Sequence, residues 1–234
     1  MSDALTLRWH GQACVTLASP GGTTVLIDPF DESIGHRLPR VEPDAVVVTH
    51  NHYDHANVDG VAGSPVVLRG LTPDGDWAEV VETVGDVRIR TVPTWHDELR
   101  GAKRGRNSMV VLETGDLSVV HAGDLGHVLS ADQVRAVGAV DVLLLPVGGV
   151  YTVSPSEARE VVRQLAPRRM VVPIHFRTEP LTIDLEPVEA FLQGLPEPRR
   201  PGTNEVQVPL QAPEGRAGGP ETVVLDWRPA GPER

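Results

Sequence analysis

Asp44-Ala45-Val46-Val47-Val48-Thr49 runs directly into His50-Asn51-His52-Tyr53-Asp54-His55, and this junction decides how the chain is read. The first half is short, apolar and β-branched, the pattern of a buried strand. The second half places three imidazoles and a carboxylate within six residues as H-x-H-x-D-H. At this chain's own His and Asp frequencies, such a pattern arises by accident about once in a thousand sequences of this length. Four good metal ligands therefore sit on a loop leaving a strand end, where a rigid scaffold usually holds its chemistry. Crowded protonated imidazoles repel one another, whereas a divalent cation turns the crowding into coordination. A polar loop that is merely His-rich is the competing reading.

The bulk of the sequence narrows the field. A length of 234 residues suits one sizeable domain or two small ones, and 40% hydrophobic with 23% charged residues is ordinary for a globular protein. No apolar run approaches the roughly 18 residues of a membrane span. The N-terminal Met1-Ser2-Asp3-Ala4-Leu5-Thr6 lacks a basic region followed by an apolar core, so a cytoplasmic location is expected. Net charge is −11, from 32 acidic against 21 basic residues, which disfavours a broad nucleic-acid footprint. Cys14 is the only cysteine, so any metal is held by nitrogen and oxygen ligands.

Outward from the motif, the first half reads as short strands and turns. Strands are expected over 5–9, 14–17, 23–27, 66–68, 87–92, 109–113 and 117–120, with Ser19-Pro20-Gly21-Gly22 and Thr114-Gly115-Asp116 as hairpin turns. Strands then alternate with helices: a helix over 130–137 capped by Ser130, and a strand over 142–145. A second helix over 154–165 follows, with Ser154 and Glu157 forming a capping box and Pro155 suiting the first helical position. A strand over 170–174 and a helix over 187–195 come next. Residues 196–221, rich in Pro, Gly and charge, read as irregular, and 222–227 as a strand returning to the sheet. One α/β domain over 1–234, with two sheets covered by helices, is the simplest account.

Further ligands follow other strand ends. His96 lies in Thr94-Trp95-His96-Asp97, Asp124 in His121-Ala122-Gly123-Asp124, and His175 in Pro173-Ile174-His175-Phe176. Taken singly, each has a dull explanation as a turn former or loop cap. Their shared placement just past strand ends carries the argument, because neighbouring strands would deliver them to one edge.

The run from Asp28-Pro29-Phe30 through H-x-H-x-D-H, His96, His121-Ala122-Gly123-Asp124 and His175 resembles the metallo-β-lactamase superfamily. Within it, the chain resembles the bacterial branch of metal-dependent hydrolases akin to ascorbate-phosphate lactonases; Trp9-His10-Gly11-Gln12 and Leu145-Pro146-Val147-Gly148-Gly149 also fit that branch. The resemblance implies an αββα sandwich of two mixed sheets with a two-metal site at their edge. It implies that His50, His52 and His96 bind one ion, that Asp54, His55 and His175 bind the other, and that Asp124 bridges both. His52 stands where oxygen-reducing relatives typically carry Glu, which favours hydrolysis over redox chemistry.

Nitrogen and oxygen ligation suits Zn²⁺ first, with Mn²⁺ the alternative. The expected reaction is attack on an ester-like bond, in a lactone or phosphodiester, by a metal-bridging hydroxide. Asp54 and Asp124 are the catalytic candidates, with Asp54 orienting the nucleophile. Asp28 and His121 are candidates for holding metal-bound imidazoles from behind. Arg106 and Asn107, in Lys103-Arg104-Gly105-Arg106-Asn107, and Tyr151 are weaker candidates for touching substrate. The expected partner is a small molecule, with neither nucleic acid nor membrane, and self-association into a homo-oligomer is left open. Two alternatives stand beside this reading: a metal-binding sensor or partner-binding protein without turnover, and a metal-dependent nuclease, which the charge disfavours.

Overall fold

A computed structural model of the chain describes residues 4–211 and 219–228. The strands are β1 (Ala4–Trp9), β2 (Val15–Ala18), β3 (Thr24–Ile27), β4 (Ala45–Val48), β5 (Val66–Arg69), β6 (Val81–Val84), β7 (Val87–Trp95), β8 (Arg106–Thr114), β9 (Leu117–His121), β10 (Val142–Pro146), β11 (Met170–Ile174), β12 (Glu205–Pro209) and β13 (Glu221–Thr222). The helices are α1 (Ala131–Val137), α2 (Pro155–Leu165) and α3 (Glu189–Leu192). One sheet has the order β12-β1-β2-β3-β4-β5 and the other β13-β11-β10-β9-β8-β7-β6.

Strand patterning makes the sandwich. In β3 and β4 successive side chains point to opposite faces. Val25, Ile27, Ala45 and Val47 enter the core shared with the second sheet, while Leu26, Val46 and Val48 join Cys14, Phe30 and Ile34 in a smaller outer cluster. That outer face is covered by loops and 3₁₀ turns, including Glu32–Ile34, with Leu38, Val41, Leu181 and Ile183 packed on it. On the second sheet, α1 packs against β7 and α2 against β10. Helix α2 buries Ala158, Val161 and Leu165, at the i, i+3, i+7 spacing of one face. Burying Val161 and Leu165 contributes about 1.5–3 kcal/mol each. The capping boxes at Ser130 and Ser154 are both formed.

Strand direction positions the site. β3 and β4 are parallel, so Asp28 and His50–His55 leave the same edge of the first sheet. β7 and β9 both run antiparallel to β8, and β9 and β11 both run parallel to β10. The residues after β7, β9 and β11 therefore also emerge at a single edge, and these are His96, Asp124 and the turn to His175.

The C-terminal third departs from the sequence reading. β12 lies within the stretch read as irregular, because Val206 and Val208 point inward while Gln207 and Pro209 stay exposed. Its Pro-rich and charged surroundings hide that short alternation. α3 is a single turn within the expected 187–195, and the returning strand is two residues of β13 plus a bridge from Val223 to Arg199. β6 is an extra edge strand, exposed along most of its length. Residues 212–218 of the irregular stretch lie outside the described residues. No helix among the described residues is long and apolar enough to cross a membrane.

Candidate metal centre

At the common edge, two groups of ligand atoms form: His50, His52 and His96 in one, and Asp54, His55, Asp124 and His175 in the other, the atoms of each group lying within 4.8 Å of one another. Asp124 stands between them. Its Oδ2 lies 3.1 Å from His96 Nε2, 3.3 Å from His175 Nε2 and 3.9 Å from His50 Nε2, while Oδ1 lies 3.3 Å from His55 Nε2. All of these residues are buried except His52, which is exposed.

The residues behind the ligands fix which nitrogen points forward. Asp28 follows β3 at φ 50°, a left-handed backbone that Asp tolerates better than most residues. Its Oδ1 accepts from the Thr49 N–H at 2.8 Å, and its Oδ2 accepts from the Thr49 hydroxyl at 2.8 Å and from His55 Nδ1 at 2.9 Å. Because the single Thr49 hydroxyl proton goes to Asp28, Thr49 Oγ1 accepts from His50 Nδ1 at 3.0 Å. Both imidazoles therefore present Nε2 forward. His50 Nε2 and His52 Nδ1 face each other at 3.1 Å.

Asp124 is held by its turn. Gly123, at φ 56°, lies so close to Asn107 that a Cβ there would come within 2.4 Å of Asn107 Oδ1. Asn107 Oδ1 accepts from the Asp124 N–H at 3.0 Å, and Asn107 Nδ2 donates to Thr94 Oγ1 and to the Ala122 carbonyl. His121 donates Nε2–H to the Ala13 carbonyl at 2.8 Å and accepts the Gly123 N–H on Nδ1 at 3.0 Å. Both its nitrogens are occupied, so it shapes the turn and leaves ligation to others.

Charge follows burial and neighbours. Burial drives His50 well below the ordinary histidine range, keeping it a neutral donor, and lowers His52 in the same way. Burial acts on His55 in that direction too, but Asp124, Asp54 and Asp28 outweigh it and push His55 well above the ordinary value. Burial would raise Asp54, yet the charge of His55 brings it down to about 2. Asp124 is likewise held well below the usual carboxylate range, with His175 and His55 overcoming its burial. Asp124 Oδ1 and His55 Nε2 are buried without a hydrogen-bond partner. Orphaned buried groups of this kind are costly, and a cation bound between them would satisfy both. The donor set thus fits divalent metal.

Other sequence candidates land elsewhere. Asn107 is fully buried and engaged around Asp124, which removes it from the substrate candidates. Arg106 is committed as well: its guanidinium lies 4.8 Å from the Trp77 ring and 5.6 Å from the Trp95 ring, with Asp76 at 2.8 Å. Tyr151 remains 38% exposed, with the Arg104 guanidinium 5.4 Å from its ring centre. His10 and His36 are bonded to Thr16 and Thr178, and burial holds both at about 4. His127 accepts the Trp95 N–H.

The sequence reading missed four contributors. Thr49 links Asp28 to His50, and its place directly before the motif was the available signal. Asp97, next to His96, gathers the N–H groups of Leu99, Gly101, Lys103 and Arg104 and so shapes that loop. Tyr53 is 59% exposed inside the motif, its phenol raised by partial burial and by Asp54. Gln12, in the turn between β1 and β2, donates Nε2–H to Asp54 Oδ2 at 2.7 Å.

Comparison with known proteins adds to this geometry. A family model described as the β-lactamase superfamily domain matches residues 6–175. A metal-dependent hydrolase of Methanoculleus marisnigri is 35% identical over 236 residues, covering 93% of this chain and 98% of the relative. One from Pyrobaculum arsenaticum is 30% identical over 200 residues, covering 76% and 86%. Among solved structures, a metallo-β-lactamase superfamily protein from Thermotoga maritima superposes with a TM-score of 0.73 at 33% identity, covering 94% of this chain and 98% of that one.

Proposed function

The chain belongs to the metallo-β-lactamase superfamily and to its metal-dependent hydrolases, and from that premise we propose that it cleaves an ester-like bond, in a lactone or phosphodiester, of a small molecule at a two-ion centre. The observation that carries the reading is Asp124, whose two oxygens reach imidazoles of both ligand groups. His50, His52 and His96 would hold one ion, Asp54, His55 and His175 the other, and Asp124 both. Bound ions supply Lewis acidity and a water that is deprotonated near neutral pH. Zinc is the first choice for such an imidazole-rich set, with manganese second.

The chain's own groups supply the rest. Asp54, held at about 2, stays ionised at neutral pH, so it orients a water by accepting its hydrogen bond and is a poor store for the proton. Asp28 holds His55 in the tautomer that offers Nε2. Tyr53, next to Asp54 in the chain, and Tyr151 are both exposed, and in this reading they would meet the body of a substrate. A small-molecule occupant agrees with the acidic net charge, which repels polynucleotides.

The test is elemental analysis of purified protein followed by lactone, phosphodiester and acyl-amide panels. We expect about two divalent ions per chain and hydrolysis that disappears on chelation and in Asp124→Ala. Fully loaded protein that is inert on every panel, or equal activity after chelation, sinks the reading and leaves the sensor alternative.

A further inference from the structure

Among the described residues, Gln12 is the side-chain amide that donates to a candidate ligand's carboxylate, and its surroundings are specific. It sits in the turn between β1 and β2, buried, at φ 51°. The turn is tight: His10 N–H donates to the Cys14 carbonyl, and the Cys14 N–H donates back to the Gly11 carbonyl. Gly11 itself is at φ 96°, and a Cβ there would meet the His36 ring at 2.5 Å. A left-handed backbone at a non-glycine residue persists only where its surroundings hold it, and such residues cluster at functional sites.

Two anchors hold this one. The Gln12 carbonyl accepts from Trp9 Nε1 at 2.9 Å and from the His175 N–H at 2.9 Å. The side chain then reaches Asp54, donating Nε2–H to Oδ2 at 2.7 Å, while Oε1 is buried with no partner. The side-chain amide thus has a single protein partner, and that partner is a candidate metal ligand. A buried amide left half satisfied is costly, so packing alone gives no reason for a glutamine here.

We infer that Gln12 is a positioning residue for the inner ion: through its side chain it orients the Asp54 carboxylate, and through its carbonyl it fixes the backbone of His175. One residue of the first sheet's turn thereby clamps ligands arriving from both sheets. An amide suits the task because it donates a hydrogen bond at every physiological pH and carries no charge to compete with the cation. Outer partners of this type typically change metal affinity by about 10–100-fold when lost.

This inference rests on the two-ion reading, and metal binding without turnover tests it. Gln12→Met keeps the length of the side chain and removes the donor. In metal titration by calorimetry, with elemental analysis after dialysis, wild type should hold two ions. Gln12→Met should hold the outer ion with unchanged affinity and the inner ion at least about tenfold more weakly. The chelated variant should melt within a degree or two of chelated wild type, a result that a purely structural role would not give. Gln12→Glu, the same shape with an acceptor facing Asp54, should weaken the inner ion further, and it decides the matter if the Met variant does not fold. Unchanged affinity for both ions in either folded variant overturns the proposal, as does equal weakening of both. If wild type itself takes up a single ion, the two-ion reading fails, and the Gln12 proposal then stands or falls on whether that one affinity drops.

Discussion

The outer trio of His50, His52 and His96 and the inner quartet of Asp54, His55, Asp124 and His175 meet at one edge but are built differently. The inner group is buried throughout and adds Asp54 to the shared Asp124; the outer group has no carboxylate besides Asp124, and His52 is open to solvent. Support differs as well. His55 rests on the Asp28 carboxylate and Asp54 on Gln12, whereas His50 rests on a hydroxyl that Asp28 orients from one step further back. Negative charge in a dry setting binds a cation more strongly than neutral imidazoles near water do. The comparison therefore implies stepwise loading, with the inner position filled first and the outer one exchanging more freely.

The largest effect that discriminates the halves is expected from Asp28→Asn. The amide would offer one oxygen where the carboxylate now accepts on both, and its NH₂ would face a donor. His55 Nδ1 would lose its acceptor and with it the tautomer that frees Nε2. We expect a loss of about 10–100-fold in inner-ion affinity, with a smaller loss at the outer ion through Thr49, read by metal titration. An outer loss equal to or above the inner one breaks the comparison.

The same two halves explain what was legible in the sequence. The loop after β4 puts Asp54 and His55 beside His50 and His52 within six residues, so local spacing alone announces a metal site. His96, Asp124 and His175 come from strands whose shared direction depends on pairing across the sheet, and beforehand they were joined only by their common place just past strand ends and by the family pattern. The groups that tune the site were harder to see. Gln12 acts through a left-handed turn, and Asn107 faces inward from β8 to hold the Asp124 turn, although its basic neighbours in sequence suggest a surface. Among the fold elements, β3 and β4 were readable because β-branched runs bury both faces. β12 was not, since two inward valines carry no weight against the prolines and charges around them.

Acidity separates the halves next. His55 is raised above the ordinary histidine value of about 6.5, so near neutral pH an incoming inner ion must displace a proton from it. Inner-ion affinity should therefore climb with pH above about 6.5, by up to about tenfold per unit for one proton, until the raised pKa is passed. His50 is driven the other way and is already neutral there, so the outer affinity should be flatter over the same range. The chelated chain carries the matching sign. A raised folded pKa gives stability that is full below about 6.5 and lost as pH rises through the folded value. Melting temperature after chelation should fall over that window, while the loaded protein, whose cation replaces the proton, should not follow. A flat inner affinity across that range counts against the assigned roles of His55 and Asp28.

The smallest expected effect is the sharpest test, because it touches one hydroxyl. Thr49→Val keeps shape and β-branching, and it keeps the backbone N–H that donates to Asp28 Oδ1. It removes only the link from Asp28 Oδ2 to His50 Nδ1, and the bond from His55 to Asp28 stays in place. Losing one such hydrogen bond costs about 1 kcal/mol, or roughly fivefold in affinity. That loss should fall on the outer ion, with inner affinity changed less than about twofold. If the inner ion weakens as much as the outer, Asp28 needs the hydroxyl to keep its own orientation, and the two halves share one support where the distances suggest two.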